Sequence, residues 1–362
     1  MLCKPVKIVL PLIVLLTVGW LFFSLSKRDP FGFKRQTFMR DGKFFVGVNY
    51  PWLRYGEDFG STAGGTHNGV SNPAYAAQLD ADFSELEAEH LTVVRWWLWA
   101  DGRGGLTFNH DGSVSGVPSD FYTDMDVALA CAKRHHVRIM FVMLDFLFFA
   151  KSPDGPMYGG HAAIASNAIL RQSFLDNAVK PVLLRYGKDN SIVAWDVVNE
   201  PEWELDLQLF KRHKSPVKTA DMLALITAVS DYVHRYSNQL VTVGSAERRY
   251  VQLWTKANLD FYQFHTYPAQ RERYGASYFS MGLDKPCVIG EFPTKRTGLQ
   301  PSRYLGGAYD GGYAGAMLWS FRGNDDFSNY PGARADVRSW MRQTHGSVLK
   351  DPSTNNSGHW IR

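Results

Sequence analysis

The chain has 362 residues, 45% hydrophobic, 20% charged and 14% aromatic, which excludes a disordered polymer and allows one large domain or two ordinary ones. Its net charge of +4 is uneven: Lys4, Lys7, Lys27, Arg28, Lys34 and Arg35 against Asp29 put +5 into residues 1–35, leaving −1 for the body. A near-neutral body offers no electrostatic footprint for nucleic acid.

Ile8 to Leu25 is an 18-residue run without a charge. As a helix it would be about 27 Å long, enough to cross a bilayer core. It reads as an uncleaved signal anchor, or as a signal peptide cut after the small-x-small triplet Ser24-Leu25-Ser26. Either way the body is exported, anchored to the membrane through residues 8–25 or secreted. Residues 1–26 therefore form the anchor or signal, 27–36 a polar linker, 37–345 the main domain and 346–362 a polar tail.

The main domain alternates short apolar strands with amphipathic stretches. The first strand is Phe44–Asn49. A helix over Pro73–His90 follows, capped by Asn72, with Ala76, Leu79, Phe83 and Leu86 at three- and four-residue spacing. Leu91–Trp97 is the second strand, and Asn109-His110-Asp111-Gly112 reads as a hairpin turn. A helix over Asp120–His136, capped by Ser119, precedes the third strand, Val137–Asp145. A third helix spans about 165–186. Strands follow at Ile192–Val198, Leu240–Gly244, Phe261–His265, Cys287–Gly290 and Gly315–Trp319. Helices are expected near 218–237 and 332–343.

Eight apolar strands alternating with helices predict a (β/α)8 TIM barrel. No Gly-x-Gly-x-x-Gly turn opens the first unit, which disfavours a dinucleotide fold. Cys3, Cys131 and Cys287 read as separate thiols rather than a disulfide framework, and no Cys/His group has zinc spacing. No metal and no cofactor are expected.

In such barrels the active site lies at the C-terminal ends of the strands. Those ends carry Asn49 and Trp52; Arg95, Trp97 and Asp101; Asp145; Asn199 and Glu200; His265 and Tyr267; Glu291; and Trp319. Glu200 and Glu291 each end a buried apolar strand. Two facing carboxyls are what a retaining glycosidase needs: one protonates the leaving oxygen and the other attacks the anomeric carbon.

The motifs resemble those of clan A glycoside hydrolases, closest to family 5, the cellulase and β-mannanase family. The resemblance rests on Val93-Val94-Arg95-Trp96, Ala194-Trp195-Asp196, Asn199-Glu200-Pro201, Phe264-His265-Thr266-Tyr267-Pro268, Gly290-Glu291 and Leu318-Trp319. It covers roughly 37–345. It implies that Glu200 is the general acid/base, its pKa raised partly by the charge of Glu291, and that Glu291 is the nucleophile, kept ionised by Arg95 and Tyr267. It further implies that Asn199 donates to the sugar 2-hydroxyl, that His265 bonds near Glu200 and that Trp319 floors the cleavage site. Asn49, Trp52, Trp97 and Asp101 complete the substrate-binding set, with Trp99 and Trp203 as looser candidates.

One departure is plain. Asp145 is followed by Phe146 and Leu147, so the histidine that many family members carry after the third strand is missing. The apolar run Phe146-Leu147-Phe148-Phe149 either packs on a partner or the membrane, or covers the barrel rim. The expected substrate is a β-linked polysaccharide or oligosaccharide of the β-mannan or β-glucan type. A transglycosylase using the same residues, and a non-catalytic sugar-binding protein beside a polysaccharide assembly or export system, remain open alternatives.

Overall fold

The computed structural model describes residues 44–345 except 63, 64, 66, 68, 92, 151–158, 208–216, 268–276, 297 and 324. The anchor or signal segment, the linker, the tail, Cys3 and Pro268 lie outside the described residues. Among the described residues no helix is long and apolar enough to cross a membrane.

The strands are β1 (Phe45–Asn49), β2 (Val93–Trp97), β3 (Thr107–Phe108), β4 (Val114–Gly116), β5 (Arg138–Asp145), β6 (Ile192–Asn199), β7 (Leu240–Ser245), β8 (Tyr262–His265), β9 (Cys287–Pro293) and β10 (Gly315–Trp319). Eight of them close in the order β1-β10-β9-β8-β7-β6-β5-β2, every neighbouring pair parallel. This is the expected TIM barrel. The antiparallel pair β3–β4 forms the hairpin after the second barrel strand.

The helices are α1 (Pro73–Ala88), α2 (Ser119–Arg134), α3 (Ala162–Ser166), α4 (Ala168–Phe174), α5 (Lys180–Tyr186), α6 (Thr219–Tyr236), α7 (Pro301–Asp310) and α8 (Tyr330–His345). Asn72 caps α1 by accepting from the Ala74 amide. Ser119 is not a cap. It is the first residue of α2, and Pro118 precedes it without a side-chain bond. The single helix expected over 165–186 is broken, because Asn167 turns extended and caps a new start by accepting from the amides of Ile169 and Leu170. A π turn over Leu175–Val179 then links α4 to α5.

The period-2 alternation of each strand sorts its side chains. Val94 and Trp96 of β2 face outward into the shell between barrel and helices, while Val93 faces inward. The inward apolar layer is Phe45, Val93, Met140, Ala194, Leu240, Phe261, Val288 and Met317. It plugs the barrel interior. Two residues further along several of the same strands the inward positions turn polar. Strand register then sets Asn49 beside Arg95, Asp145 beside Asn199 and His265 beside Glu291.

The apolar run after β5 belongs to the rim. Phe148 and Phe149 are buried, and Phe148 packs on His161 and Phe174. Leu147 alone of the run is an exposed large hydrophobic residue.

Candidate active site

Arg95 is the centre of the polar layer. It is fully buried and reaches four neighbours. Nε donates to Asp196 at 2.9 Å, Nη1 to Glu291 at 2.6 Å and to Asn49 at 3.1 Å, and Nη2 to Asn199 at 2.8 Å. A buried guanidinium is tolerable only when its donors and its charge are both met. Asp196 and Glu291 meet the charge. Because they do, Arg95 holds its proton more firmly than a free arginine despite its burial.

Glu291 lies inside β9, which runs three residues beyond the expected Gly290. Its Oε1 accepts from Arg95, and its Oε2 accepts from the Tyr267 hydroxyl at 2.6 Å. Burial raises this carboxyl, and His265 and Arg95 offset only part of the rise. The Tyr267 hydroxyl is held well above the usual tyrosine range, first by burial and then by the Glu291 charge, so it stays a donor.

Glu200 follows β6 in the left-handed region, at φ 49° and ψ 49°. That conformation costs on the order of 1 kcal/mol for a residue with a Cβ. It is locked from both sides: the Glu200 amide donates to the Gly244 carbonyl, and Pro201 starts a short 3-10 turn through Glu204. That turn brings the Trp203 indole N–H to Glu200 Oε2 at 2.7 Å. On the other side His265 Nδ1 lies 2.7 Å from Glu200 Oε1 and 3.5 Å from Glu291 Oε1. Burial pushes the Glu200 carboxyl up to about 7, opposed by Trp203 and Arg95. Glu247 adds like charge to the shift, and Glu200 and Glu291 disfavour each other's ionised forms, as the sequence suggested. Burial lowers His265 to about 4, so its imidazole is neutral at pH 7.

The facing oxygens of Glu200 and Glu291 and the His265 nitrogen all lie within 4.8 Å of one another. Such a cluster could also ligate a cation. Arg95 already supplies a fixed positive charge at Glu291, and a metal ion would have to share that carboxylate with it.

The remaining sequence candidates divide. Asn199 joins the centre, donating to Asp145 Oδ2 at 2.8 Å while accepting from Arg95. Asn49 lies beneath the cleft rather than lining it. It is fully buried, and its amide donates to the Gly290 and Leu318 carbonyls. Trp97 lies under the Arg95 guanidinium, 4.4 Å from ring to carbon, and its indole reaches Asp145. Trp52 and Trp319 meet Trp97 edge-on at 6.1 and 6.0 Å, which makes a run of three aromatic rings. Asp101 points elsewhere, into an ion pair with Arg103 at 2.6 Å. Trp99 is core, packed against Phe121 and Phe174.

Three residues of the site were missing from the sequence reading. Asp196 takes bonds from Arg95, the Gly244 amide and Gln263. Gln263 bridges β8 to it at 2.7 Å. Glu247 adds negative charge near Glu200. Strand alternation could have found the first two, since Asp196 and Gln263 sit at polar positions inside otherwise apolar strands.

No protein-family model matches the chain. The chain is similar to a mannan endo-1,4-beta-mannosidase of Mytilus edulis, 26% identical over 84% of this chain and 86% of that protein. It is likewise similar to a mannan endo-1,4-beta-mannosidase of Cryptopygus antarcticus, 25% identical over 79% and 82%. The solved beta-1,4-D-mannanase of Cryptopygus antarcticus superposes with a TM-score of 0.70 at 23% identity, covering 88% of this chain and 93% of that one. Relatives and fold agree with the motifs in their resemblance to clan A, family 5 glycoside hydrolases.

Proposed function

We propose that this chain hydrolyses a β-1,4-linked mannan by double displacement, with retention at the anomeric carbon. The observation that carries the mechanism is the carboxyl pair, whose facing oxygens lie within 4.8 Å across His265. Retaining glycosidases hold their two carboxyls about 5–5.5 Å apart, whereas inverting ones leave roughly 6.5–9.5 Å for a water. The substrate rests on the relatives, both of which carry the name mannan endo-1,4-beta-mannosidase.

Burial raises both carboxyls, and their hydrogen-bond partners assign the roles. Glu291 faces two donors, Arg95 and Tyr267, and both favour its ionised form. It is the nucleophile. Glu200, raised to about 7, keeps a proton for the leaving oxygen and takes one back from the water that hydrolyses the glycosyl-enzyme. Asn199 retains one amide hydrogen for the sugar 2-hydroxyl. Trp97 and Trp319 offer ring faces or edges to sugars at and beside the cleavage point.

The reading includes export, with residues 8–25 as an anchor or a cleaved signal. That part rests on the length of the uncharged run. Sequencing the N-terminus of the exported protein decides between the two.

The decisive test is Glu291→Ala assayed with an activated aryl β-mannoside. Turnover should vanish, and azide should restore some of it as the α-mannosyl azide. Absence of that product, or an α-configured first product from the parent enzyme, would overturn the double displacement. Inactivity of the parent on a panel of mannans, with activity on glucans, would overturn the substrate.

A further inference from the structure

On the outside of the barrel, where α1 packs against α2, three different ligand types converge. Cys131 and His135 are four residues apart at the end of α2, a spacing that puts both side chains on one face. Asp80 reaches them from α1. Its Oδ1 lies 2.8 Å from His135 Nε2 and 4.0 Å from Cys131 Sγ, and the three ligand atoms are all within 4.8 Å of one another. Cys131 is buried, and His135 and Asp80 are half-buried.

We propose that Asp80, Cys131 and His135 form a binding site for a divalent transition metal of the zinc class, separate from the glycosidase centre. A tetrahedral ion about 2.0–2.3 Å from each ligand would separate the ligand atoms by roughly 3.3–3.7 Å. The observed spacings bracket that range, so small side-chain shifts close the site. The sulfur, nitrogen and oxygen set selects a borderline ion over calcium or magnesium, which prefer all-oxygen ligation.

A second feature points the same way. Ligating histidines commonly donate their other ring N–H to a carboxylate, which fixes the tautomer and strengthens the ligand. His135 has that arrangement: its Nδ1 faces Glu87 Oε2 at 3.4 Å while Nε2 points at the site. Glu87 is itself held by His136 at 2.6 Å. Arg134 also touches Asp80 Oδ1. On binding it turns to the free Oδ2, the proton between His135 Nε2 and Asp80 Oδ1 is replaced by one on Nδ1 facing Glu87, the Cys131 thiol releases its proton to water, and a water takes the fourth position. One metal ion in and one proton out leaves thiolate, carboxylate and neutral imidazole around a +2 charge. The ion ties α1 to α2, the helices that follow β1 and β2.

The test is Co2+ titration of the full chain carrying Cys3→Ser, followed by Zn2+ competition. The expected result is a thiolate-to-cobalt charge-transfer band with tetrahedral visible bands, bleached by one equivalent of Zn2+, and a Zn2+-dependent rise in melting temperature. Cys131→Ser should lose the charge-transfer band, and His135→Gln should weaken Zn2+ binding at least tenfold. Glu87→Gln should keep the band while weakening binding by roughly 10–100-fold. No band in the parent, or an unchanged band in Cys131→Ser, would overturn the site. Because the readout is metal binding, its failure leaves the glycosidase reading untouched.

Discussion

Arg95 Nη1 stands 2.6 Å from Glu291 Oε1, and the same guanidinium binds Asp196 from its other edge. Three strands therefore meet at one buried cation: β2 supplies Arg95, β6 supplies Asp196 and β9 supplies Glu291. One positive charge serves two carboxylates. The site's electrostatics and the upper barrel's stability are the same set of bonds.

Arg95→Met should leave two buried carboxylates without their cation, at a cost of about 3–5 kcal/mol. Arg95→Lys should unfold less easily but remain crippled. A single ammonium cannot reach Asp196, Glu291, Asn199 and Asn49 together. Losing Arg95 removes an influence that lowers the Glu291 pKa, so the acidic limb of kcat/KM should move to higher pH. Denaturant unfolding of both variants and the pH–rate profile of the methionine variant check this. An unmoved acidic limb would separate Arg95 from the nucleophile.

Gly244 tests the packing around the same cation. A Cβ there would sit 2.7 Å from Arg95 Nη2, 2.9 Å from Gln263 Nε2 and 3.0 Å from Asp196 Oδ2. None of the three can retreat without breaking a buried bond. Gly244→Ala should cost about 1–3 kcal/mol through overpacking. It should lower kcat more than it raises KM, because it moves Arg95 and, through it, the Glu291 carboxylate. Wild-type kcat with a normal melting temperature would show the layer to be looser than its distances imply.

Much of this was legible before folding. The apolar strands announced the barrel, and Asn199-Glu200-Pro201 with Gly290-Glu291 placed both carboxyls, because a catalytic strand end is short, apolar and abruptly polar. The reading failed where tertiary pairing decides the role. Asn49 looks like a cleft residue, yet it is fully buried beside Arg95, with its amide spent on the Gly290 and Leu318 carbonyls. Asp101 looks like its neighbours, yet Arg103 two residues on captures it. Trp203 was one aromatic among many until the left-handed turn at Glu200 aimed its indole back at the acid. Asp196 and Gln263 stand on strands already recognised, as polar residues within apolar runs, and that signal was not used.

Trp203 should tune the alkaline limb. Its N–H donates to Glu200 at 2.7 Å, which favours the ionised carboxylate and holds the pKa down to about 7. Trp203→Phe deletes the donor, so the Glu200 pKa should rise. A charge-assisted bond of about 1.5–3 kcal/mol corresponds to roughly 1–2 pH units. The alkaline limb of kcat/KM, expected near pH 7 in the parent, should move up by that much. A limb that moves down, or stays, would place the proton on another group.

The buried carboxyls also set how stability depends on pH. Burial raises Asp58, Glu200 and Glu202 to about 7 and Asp145 to about 6, well above their unfolded values near 4. The native state therefore binds more protons than the unfolded chain across that window, and stability falls as pH rises through it. The opposite sign comes from His161 and His265, which burial lowers to about 4, so the unfolded chain binds more protons at these two between about pH 4 and 6.5. A smaller opposite contribution comes from Asp80, Asp111 and Asp284, which are lowered mainly by hydrogen bonds. The aspartates' contribution is lost only as pH drops below the ordinary aspartate range, and it is small because solvent screens them. The carboxyl and imidazole windows leave a net decline in melting temperature from about pH 4 to 7 and a plateau above it, because the raised carboxyls outnumber the two lowered histidines. Glu200→Gln removes one of the titrating groups, so its decline should be shallower by up to one proton, about 1.4 kcal/mol per pH unit at most. Calorimetry of both proteins from pH 4 to 8 measures the two slopes. A parent that gains stability between pH 5 and 8 would mean that these carboxyls are ionised in the native state. Glu200 could not then hold the proton that its catalytic role requires.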